Sequence, residues 1–261
     1  MRRAGLVPLT RPDQILRSMI AVHRLGPIAG AARVAAVRDH RALGLVDELG
    51  PLSFHQLDTR SNALARAFAN RGLGRGSVIA LLARNHRGAV ETMLAAGKLG
   101  ARLILMNTGF AAPQLVDVAK REGVTVLVHD QEFTDLIDNL PADLPRFLAW
   151  ADDASIDTLE GLIAATDDRP VPTPREPGGV VLLTSGTTGT PKGAPRQVRS
   201  PLAAAQFLDR IPLRTGECTV LAAPLFHATG LSQFIINFAL GSTVVLRRRF
   251  DPEATLRAIQ D

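Results

Sequence analysis

The 261-residue chain has little of several residue types, and each shortage excludes a class of protein. It has no tyrosine and only 4% aromatic residues, so side chains that stack on nucleic-acid bases are scarce. Its one cysteine, Cys218, excludes a disulfide within the chain and favours a reducing, cytoplasmic compartment. Leu, Val, Ile and Ala must therefore form most of the core.

The basic character of the chain comes almost entirely from arginine. Lysine occurs only at Lys98, Lys120 and Lys192. The formal net charge is +5 and the pI about 10.5, but without tyrosine few groups titrate near pH 10, so the pI overstates the charge. The run Arg247 to Arg249 is short and follows an apolar segment, which favours a solvated strand end. We therefore do not expect nucleic-acid binding.

Residues 1–40 differ from the rest because arginines alternate there with a loose amphipathic pattern of Ile, Met and Val. No continuous apolar run reaches the length that spans a bilayer, and no signal-peptide cleavage pattern follows. Two interpretations are open for this N-terminal arm. It is a helix packed on the main domain, or it makes a peripheral contact with a membrane or an acyl substrate.

Beyond the arm, helix-like and strand-like segments alternate. Continuous apolar runs at 77–83, 102–106 and 124–129 are typical of strands buried on both faces. The segments between them have helical spacing of apolar residues and end at Gly100 and Gly123. This alternation predicts an α/β fold with a parallel sheet and right-handed crossovers.

The second half of the chain continues the pattern after a proline-rich stretch at about 165–178, which predicts an extended connector. Strands are predicted for VVLLT, TVLAAP and STVVLRR, with a helix over LSQFIINFAL. Asp251 as N-cap and Pro252 in the first turn predict a last helix. Because the sequence stops at Asp261 without a C-cap or a following strand, we expect a truncated chain.

The most informative segment is LLTSGTTGTPKG, Leu182 to Gly193. Glycines after a buried strand let the backbone approach a ligand, and free N–H groups with hydroxyls suit phosphate oxygens. Lys192 adds a mobile positive charge that can follow a departing polyphosphate. A Walker A loop is excluded because Lys192 lies between Pro191 and Gly193. A flexible linker is the alternative, but linkers rarely start from an apolar strand and end in Pro-Lys-Gly.

The stretch TSGTTGTPKG resembles the signature of the adenylate-forming (AMP-binding) superfamily, which includes acyl-CoA synthetases, luciferases and adenylation domains of peptide synthetases. Leu45 to Asn85 resembles the opening of these enzymes. AAGKLGARLILMNTGF is similar to their next block, although the family usually has Pro-Leu-Asn-Pro where this chain has Leu105 to Thr108. PLFHATG, Pro224 to Gly230, resembles the block that borders the acyl pocket, and it is most like that of fatty-acid–CoA ligases.

The resemblance implies that residues 41–261 are the N-terminal part of the family's large domain and take part in a two-step reaction. A carboxylic acid attacks the α-phosphate of ATP, and coenzyme A then displaces AMP. His227 is implied to lie near the substrate carboxylate and to be catalytic together with Lys192. The β- and γ-phosphates are implied to bind to residues of a phosphate loop, 184–193, with Thr184 also beside Mg²⁺: Thr184, Ser185, Gly186, Thr187, Thr188, Gly189 and Lys192.

Several blocks of the family have no counterpart before Asp261: the adenine-binding Tyr-Gly-x-Thr-Glu block, the ribose-binding Asp, the hinge and a C-terminal lysine. We therefore expect the 261-residue chain to be inactive alone. The sequence predicts neither the acyl-chain length nor the oligomeric state. Two alternatives stay open: a ligase that activates aryl or amino acids, and a non-catalytic half-domain that binds nucleotide or a partner.

Overall fold

The structure is a computed structural model that describes residues 12–152, 158–184, 192–195, 211 and 213–260. Its helices are α1 Pro12–Arg38, α2 Phe54–Ala69, α3 Arg87–Leu99, α4 Ala112–Glu122, α5 Leu159–Ala164, α6 Ala228–Leu240 and α7 Pro252–Gln260. Its strands are β1 Leu43–Asp47, β2 Gly50–Ser53, β3 Val78–Leu82, β4 Arg102–Leu105, β5 Val126–Asp130, β6 Arg146–Trp150, β7 Val180–Thr184, β8 Lys192–Pro195, β9 Cys218–Leu221 and β10 Thr243–Leu246.

The described strands form two sheets. One has four strands in the order β2-β1-β10-β9, and the other has six in the order β6-β5-β3-β4-β7-β8. All neighbours pair in parallel except β1 with β2 and β7 with β8, which are antiparallel. The predicted α/β class with parallel sheets and flanking helices is thereby confirmed.

The predicted ends of two helices are also found. Gly100 after α3 and Gly123 after α4 both have φ of 66°, the left-handed conformation that glycine adopts without steric penalty. At the other end of the chain, Asp251 Oδ1 accepts a hydrogen bond from Ala254 N at 2.7 Å, as an N-cap does. Local sequence therefore determines where these helices begin and end.

A single hydrophobic cluster lies between the two sheets and their helices. It includes Leu45 of β1, Leu103 of β4, Leu94 of α3 and Phe238 of α6, each 1% exposed or less. A second cluster packs α4 against the other face of the six-stranded sheet, around Leu115. Both faces of that sheet are thus covered, as its continuous apolar strands require.

The N-terminal arm forms α1, which is kinked at Gly26. This helix is long enough to cross a bilayer, and the mean hydropathy of its most apolar window, 1.2, is high enough for a membrane span. The sequence contains no continuous apolar run that would predict such a span. Its second half packs on α3 and α6, with Ile28 3% and Ala35 1% exposed. The first half leaves Leu16 and Met19 exposed. The second half thus behaves as a core helix, and a peripheral contact through the first half stays a prediction.

Candidate functional site

The candidate site lies at the carboxyl edge of the six-stranded sheet. Because β3, β4, β5 and β7 are parallel, their carboxyl ends meet at one edge. Asn85 follows β3, Asn107 follows β4, Asp130 ends β5 and Thr184 ends β7. In open α/β sheets ligands bind outside this edge, so polar residues that follow buried strands here are candidates for binding.

The two strands that flank the predicted phosphate loop are paired at this edge. β7 and β8 form an antiparallel pair in which the Cα atoms of Thr184 and Lys192 are partners. The hairpin therefore brings both ends of the predicted loop together beside the edge. The other predicted phosphate ligands lie outside the described residues: Ser185, Gly186, Thr187, Thr188 and Gly189.

His227 lies on the side of the candidate site that the four-stranded sheet forms. It is the exposed N-cap residue of α6, and its ring centre is 5.4 Å from that of Phe226. The segment that carries it runs from the end of β9 at Leu221 into α6. A helix N-terminus favours negative charge. The role of His227 beside a substrate carboxylate stays a prediction.

Asn85 joins the two sheets, and sequence analysis did not single it out. Its Nδ2 donates to Ala223 O at 3.0 Å, and its Oδ1 accepts from Leu225 N at 2.9 Å. The side chain is nearly buried, 6% exposed. A buried side-chain amide needs hydrogen-bond partners. An asparagine after an apolar strand was therefore the one feature of the sequence that indicated a tie of this kind. Through these bonds β3 holds the segment that leads to His227.

A buried pair fixes the turn on which Asn85 lies. His86 Nε2 is 2.8 Å from Asp130 Oδ1, and both side chains are fully buried. His86 Nδ1 accepts from Gly88 N at 3.1 Å, which places the ring proton on Nε2 as the donor to Asp130. The other carboxylate oxygen accepts from Arg84 N at 2.9 Å. Asp130 therefore anchors the residues on both sides of Asn85.

The arginine run after β10 is more constrained than the predicted solvated strand end. Arg248 and Arg249 donate to Glu132 at 3.0 and 3.2 Å, and Arg84 donates to the same carboxylate at 2.8 Å. The Arg248 guanidinium also lies 4.3 Å from the centre of the Trp150 ring, a cation–π contact. The hydrogen bond and charge of Arg84 lower the pKa of Glu132. The run thus connects the two sheets through Glu132.

Cavity shape does not locate the candidate site. Two cavities in the described part of the chain have volumes of about 490 and 400 Å³. The first lies between the halves of α1, and the second lies beside Trp150 and Glu91. Across the described ranges, no group of three His, Cys, Asp or Glu side chains is arranged to hold a metal ion. Strand topology is therefore the basis for the site.

A family model described as AMP-binding enzyme matches residues 31–261. The chain belongs to the AMP-binding enzyme family. The family resemblance and the fold class predicted from the sequence are thereby confirmed. The predicted roles of individual site residues stay predictions.

Curated members of the AMP-binding family match most of this chain. It is 31% identical over 223 residues to a fatty acid–[acyl-carrier-protein] ligase, ScoC, of Streptomyces coeruleorubidus, and 33% identical over 214 residues to a feruloyl-CoA synthase of Amycolatopsis sp. A long-chain-fatty-acid–CoA ligase, FadD13, of Mycobacterium tuberculosis is 29% identical over 206 residues. The matches cover 77–80% of this chain but 40–41% of those proteins. The chain thus spans about two fifths of the length of these relatives.

Solved structures of the AMP-binding family share the fold. The inhibitor-bound N-terminal domain of FACL13 from Mycobacterium tuberculosis has a TM-score of 0.76 at 25% identity, covering 89% of this chain and 60% of that one. O-succinylbenzoate coenzyme A synthetase from Bacillus subtilis, in complex with AMP, has a TM-score of 0.75 at 22% identity, covering 88% and 58%. The two-sheet architecture is therefore that of the family's N-terminal domain.

Proposed function

We propose that the protein activates a carboxylic acid with ATP and transfers the acyl group to a thiol. A carboxylate oxygen attacks the α-phosphorus of ATP, the bond to the β-phosphate breaks, and pyrophosphate leaves. The thiol sulfur of coenzyme A then attacks the acyl carbon, AMP leaves, and the thiol proton passes to solvent. One observation carries the proposal: the β7–β8 hairpin of an AMP-binding family member brackets the Ser/Thr/Gly segment at the carboxyl edge.

The phosphate loop supplies what pyrophosphate departure needs. In the proposal its backbone N–H groups and hydroxyls bind the β- and γ-phosphates, and Lys192 neutralises the charge that develops on the leaving group. Mg²⁺ usually keeps several waters and binds substrate phosphates with one or two protein ligands. In the proposal Thr184 supplies the one protein oxygen for Mg²⁺, whereas its Cα partner Lys192 is assigned to the phosphates, because an ammonium group does not bind a metal cation. Thr184 is the residue proposed to lie beside Mg²⁺, which screens the phosphate charge.

The acid is proposed to bind at the N-terminus of α6, where His227 is exposed. The substrate class that we propose first is a fatty acid, since two relatives are named for fatty acids: the ScoC ligase and FadD13. An aryl acid is the second candidate, because other relatives are a feruloyl-CoA synthase and a 2-succinylbenzoate–CoA ligase. Coenzyme A is the proposed thiol, with an acyl-carrier protein as its alternative.

We also propose that the 261-residue chain binds the polyphosphate of ATP but does not complete the reaction alone. It spans 41% of the length of the ScoC ligase, and the adenine-binding block predicted for the family lies outside its sequence. A non-catalytic nucleotide-binding half-domain is the competing interpretation. The two differ in what the product of the complete gene does with ATP and an acid.

The binding test uses the 261-residue chain with Mg²⁺ and either ATP or pyrophosphate in a calorimeter. Lys192→Ala is expected to weaken binding at least about tenfold, because a hydrogen bond to a charged group is worth roughly 1.5–3 kcal/mol. Lys120→Ala is the control, since Lys120 is an exposed lysine in the last turn of α4. Equal binding by Lys192→Ala and the control variant would contradict the proposed role of the loop.

The activity test uses protein expressed from the complete gene and a panel of fatty, aryl and amino acids. We expect pyrophosphate exchange and acyl-CoA formation with a fatty acid, and about ten- to a thousandfold less adenylation by Lys192→Ala. Preference for an aryl or amino acid would select the alternative ligase. Binding of ATP without exchange for any acid would favour the half-domain.

A further inference from the structure

The two hydrogen bonds of Asn85 tie together parts of the chain that are far apart in sequence. Asn85 follows β3 of the six-stranded sheet, whereas Ala223 and Leu225 follow β9 of the four-stranded sheet, 138 and 140 residues later. The Asn85 amide donates one hydrogen bond to this short piece of backbone and accepts another from it, as the backbone of a neighbouring strand would. It therefore fixes both the position and the orientation of the segment before His227.

Asn85 can hold this segment because its own turn is rigid. Asp130 accepts hydrogen bonds from Arg84 N at 2.9 Å and from the His86 ring at 2.8 Å. Both side chains of the His86–Asp130 pair are fully buried. The residues on either side of Asn85 are thus anchored to β5, so displacement of Asn85 would disrupt a buried network.

The segment is also confined by Gly230 in the first turn of α6. A Cβ atom at this position would lie 2.1 Å from Pro224 O and 2.8 Å from Ala223 O. Only glycine leaves room for this close approach of helix and backbone. Residues 223–225 are therefore held by both the Asn85 amide and the start of α6, where His227 is the N-cap residue.

We infer that Asn85 is a positioning residue that holds the proposed acid-binding segment in a fixed place relative to β7, the strand that ends where the predicted phosphate loop begins. β3, which leads to Asn85, and β7, which leads to the loop, belong to one sheet and are separated only by β4. In-line attack requires the acid oxygen to be held accurately against the α-phosphate, so such a tie across the sheets matters for rate. The inference rests on the proposed function, because it assigns the segment before His227 to the acid.

The test is steady-state kinetics of Asn85→Ala in protein expressed from the complete gene. We expect KM for the acid to rise about tenfold, the effect of roughly one net hydrogen bond, while KM for ATP changes less than twofold. Asn70→Ala is the matched control, since Asn70 is an exposed asparagine at the C-cap of α2 and is not among the candidate residues at the carboxyl edge. We expect less than a twofold change in either KM for the control.

A double variant separates positioning from general destabilisation. If Asn85 acts through the His227 segment, Asn85→Ala should add less than twofold to the loss already caused by His227→Ala. Additive losses, or equal increases of both KM values, would overturn the inference. If Asn85→Ala does not fold, Asn85→Asp keeps the side-chain volume and the acceptor for Leu225 N, and the same split between the two KM values is expected.

Hydrogen exchange of the Leu225 amide gives a result that does not depend on activity. Loss of the 2.9 Å bond to Asn85 should raise its exchange rate at least tenfold in Asn85→Ala, with amides of β3 unchanged. Unchanged exchange at Leu225 would overturn the inference even if the protein is a ligase. Wild-type protein that activates no acid would instead overturn the proposed function, and the Leu225 result would still decide whether Asn85 holds the segment.

Discussion

Glu132 is the residue through which both sheets meet the arginine-rich end of β10. Arg84 after β3 donates to its carboxylate at 2.8 Å, and Arg248 and Arg249 after β10 donate at 3.0 and 3.2 Å. Three guanidinium groups around one carboxylate favour its charged form, and the hydrogen bond from Arg84 is the main reason that the pKa of Glu132 is lowered. Such a network stabilises more than an isolated surface pair does.

We predict that Glu132→Gln destabilises the fold at pH 7 by roughly 1 kcal/mol, a value reduced by solvent screening near the surface. Because the folded pKa lies below the usual 4.5, the stabilisation is complete above that value and is lost as pH falls through the folded pKa. Urea unfolding of wild type and variant at pH 7 and pH 3 measures the difference, which should shrink at the lower pH. Glu253→Gln, in an exposed i,i+4 pair with Arg257, is the control and should change stability by a few tenths of a kcal/mol. A loss that is the same at both pH values would contradict the assignment.

At the residue scale, the sequence predicts residues that lie in contiguous motifs but not residues whose partners are distant. Thr184 and Lys192 are predicted as site residues because one short segment carries the whole pattern of hydroxyls, glycines and a lysine, and their roles stay predictions. Asn85 is not, since its partners lie 138 and 140 residues away. The same holds for Arg248, whose contact with Glu132 spans 116 residues and replaces the expected solvated end. Only the fold brings these groups together.

The kink in α1 depends on one glycine. Gly26 has φ of 78° and ψ of −178°, a conformation that is almost restricted to glycine, and Pro27 then starts the second half of the helix. The halves approach closely, because a Cβ at Gly30 would lie 2.6 Å from the Cα of Val22. The kink thus folds the first half against the second, whose Ala29 lies beside Gly97 of α3 and whose Arg38 donates to Leu240 O in α6 at 2.8 Å.

We predict that Gly26→Ala lowers the free energy of unfolding by about 1–3 kcal/mol, because alanine is strained at this φ and ψ. Its Cβ would also lie 3.3 Å from the Cβ of Pro177. Gly74→Ala is the matched control, since a Cβ there meets open space and its φ is not in the left-handed region. Urea denaturation of both variants measures the effect. Equal stability of the two would show that the kink does not need glycine.

At the element scale, the sequence predicts helices and strands whose information is local. β3, β4, β5, α3 and α4 follow from apolar runs, helical spacing and glycine caps. The β1–β2 hairpin was not predicted as strands, because β1 is completed by parallel pairing with β10, where Leu45 partners Val244. The predicted strand TVLAAP extends to Pro224, but β9 ends at Leu221. The reason is that Asn85 binds the backbone at residues 223 and 225 in place of a strand.

At the scale of the whole molecule, the two sheets share one core rather than two. Phe238 of α6 is fully buried, with its ring centre 5.3 Å from that of Phe54 in α2 and 4.1 Å from that of Phe234. The same cluster continues to Leu45 of β1 and Leu103 of β4, one residue from each sheet. Loss of packing at α6 should therefore be felt by both sheets, since close-packed interiors transmit strain.

We predict that Phe238→Ala lowers the free energy of unfolding by about 3–5 kcal/mol. Amides of both sheets should lose protection by the same amount, because the sheets unfold as one unit. Native-state hydrogen exchange measures this, because amides of β1 and β10 report on one sheet and amides of β3 and β4 on the other. Phe250→Ala is the control, since Phe250 is 66% exposed and its removal should cost little. If only the four-stranded sheet loses protection, the sheets unfold separately, and the tie made by Asn85 and Glu132 is too weak to couple them. A common loss would mean that β3 and β7 of one sheet and the segment after β9 of the other belong to one cooperative unit, as the proposed placement of an acid against ATP requires.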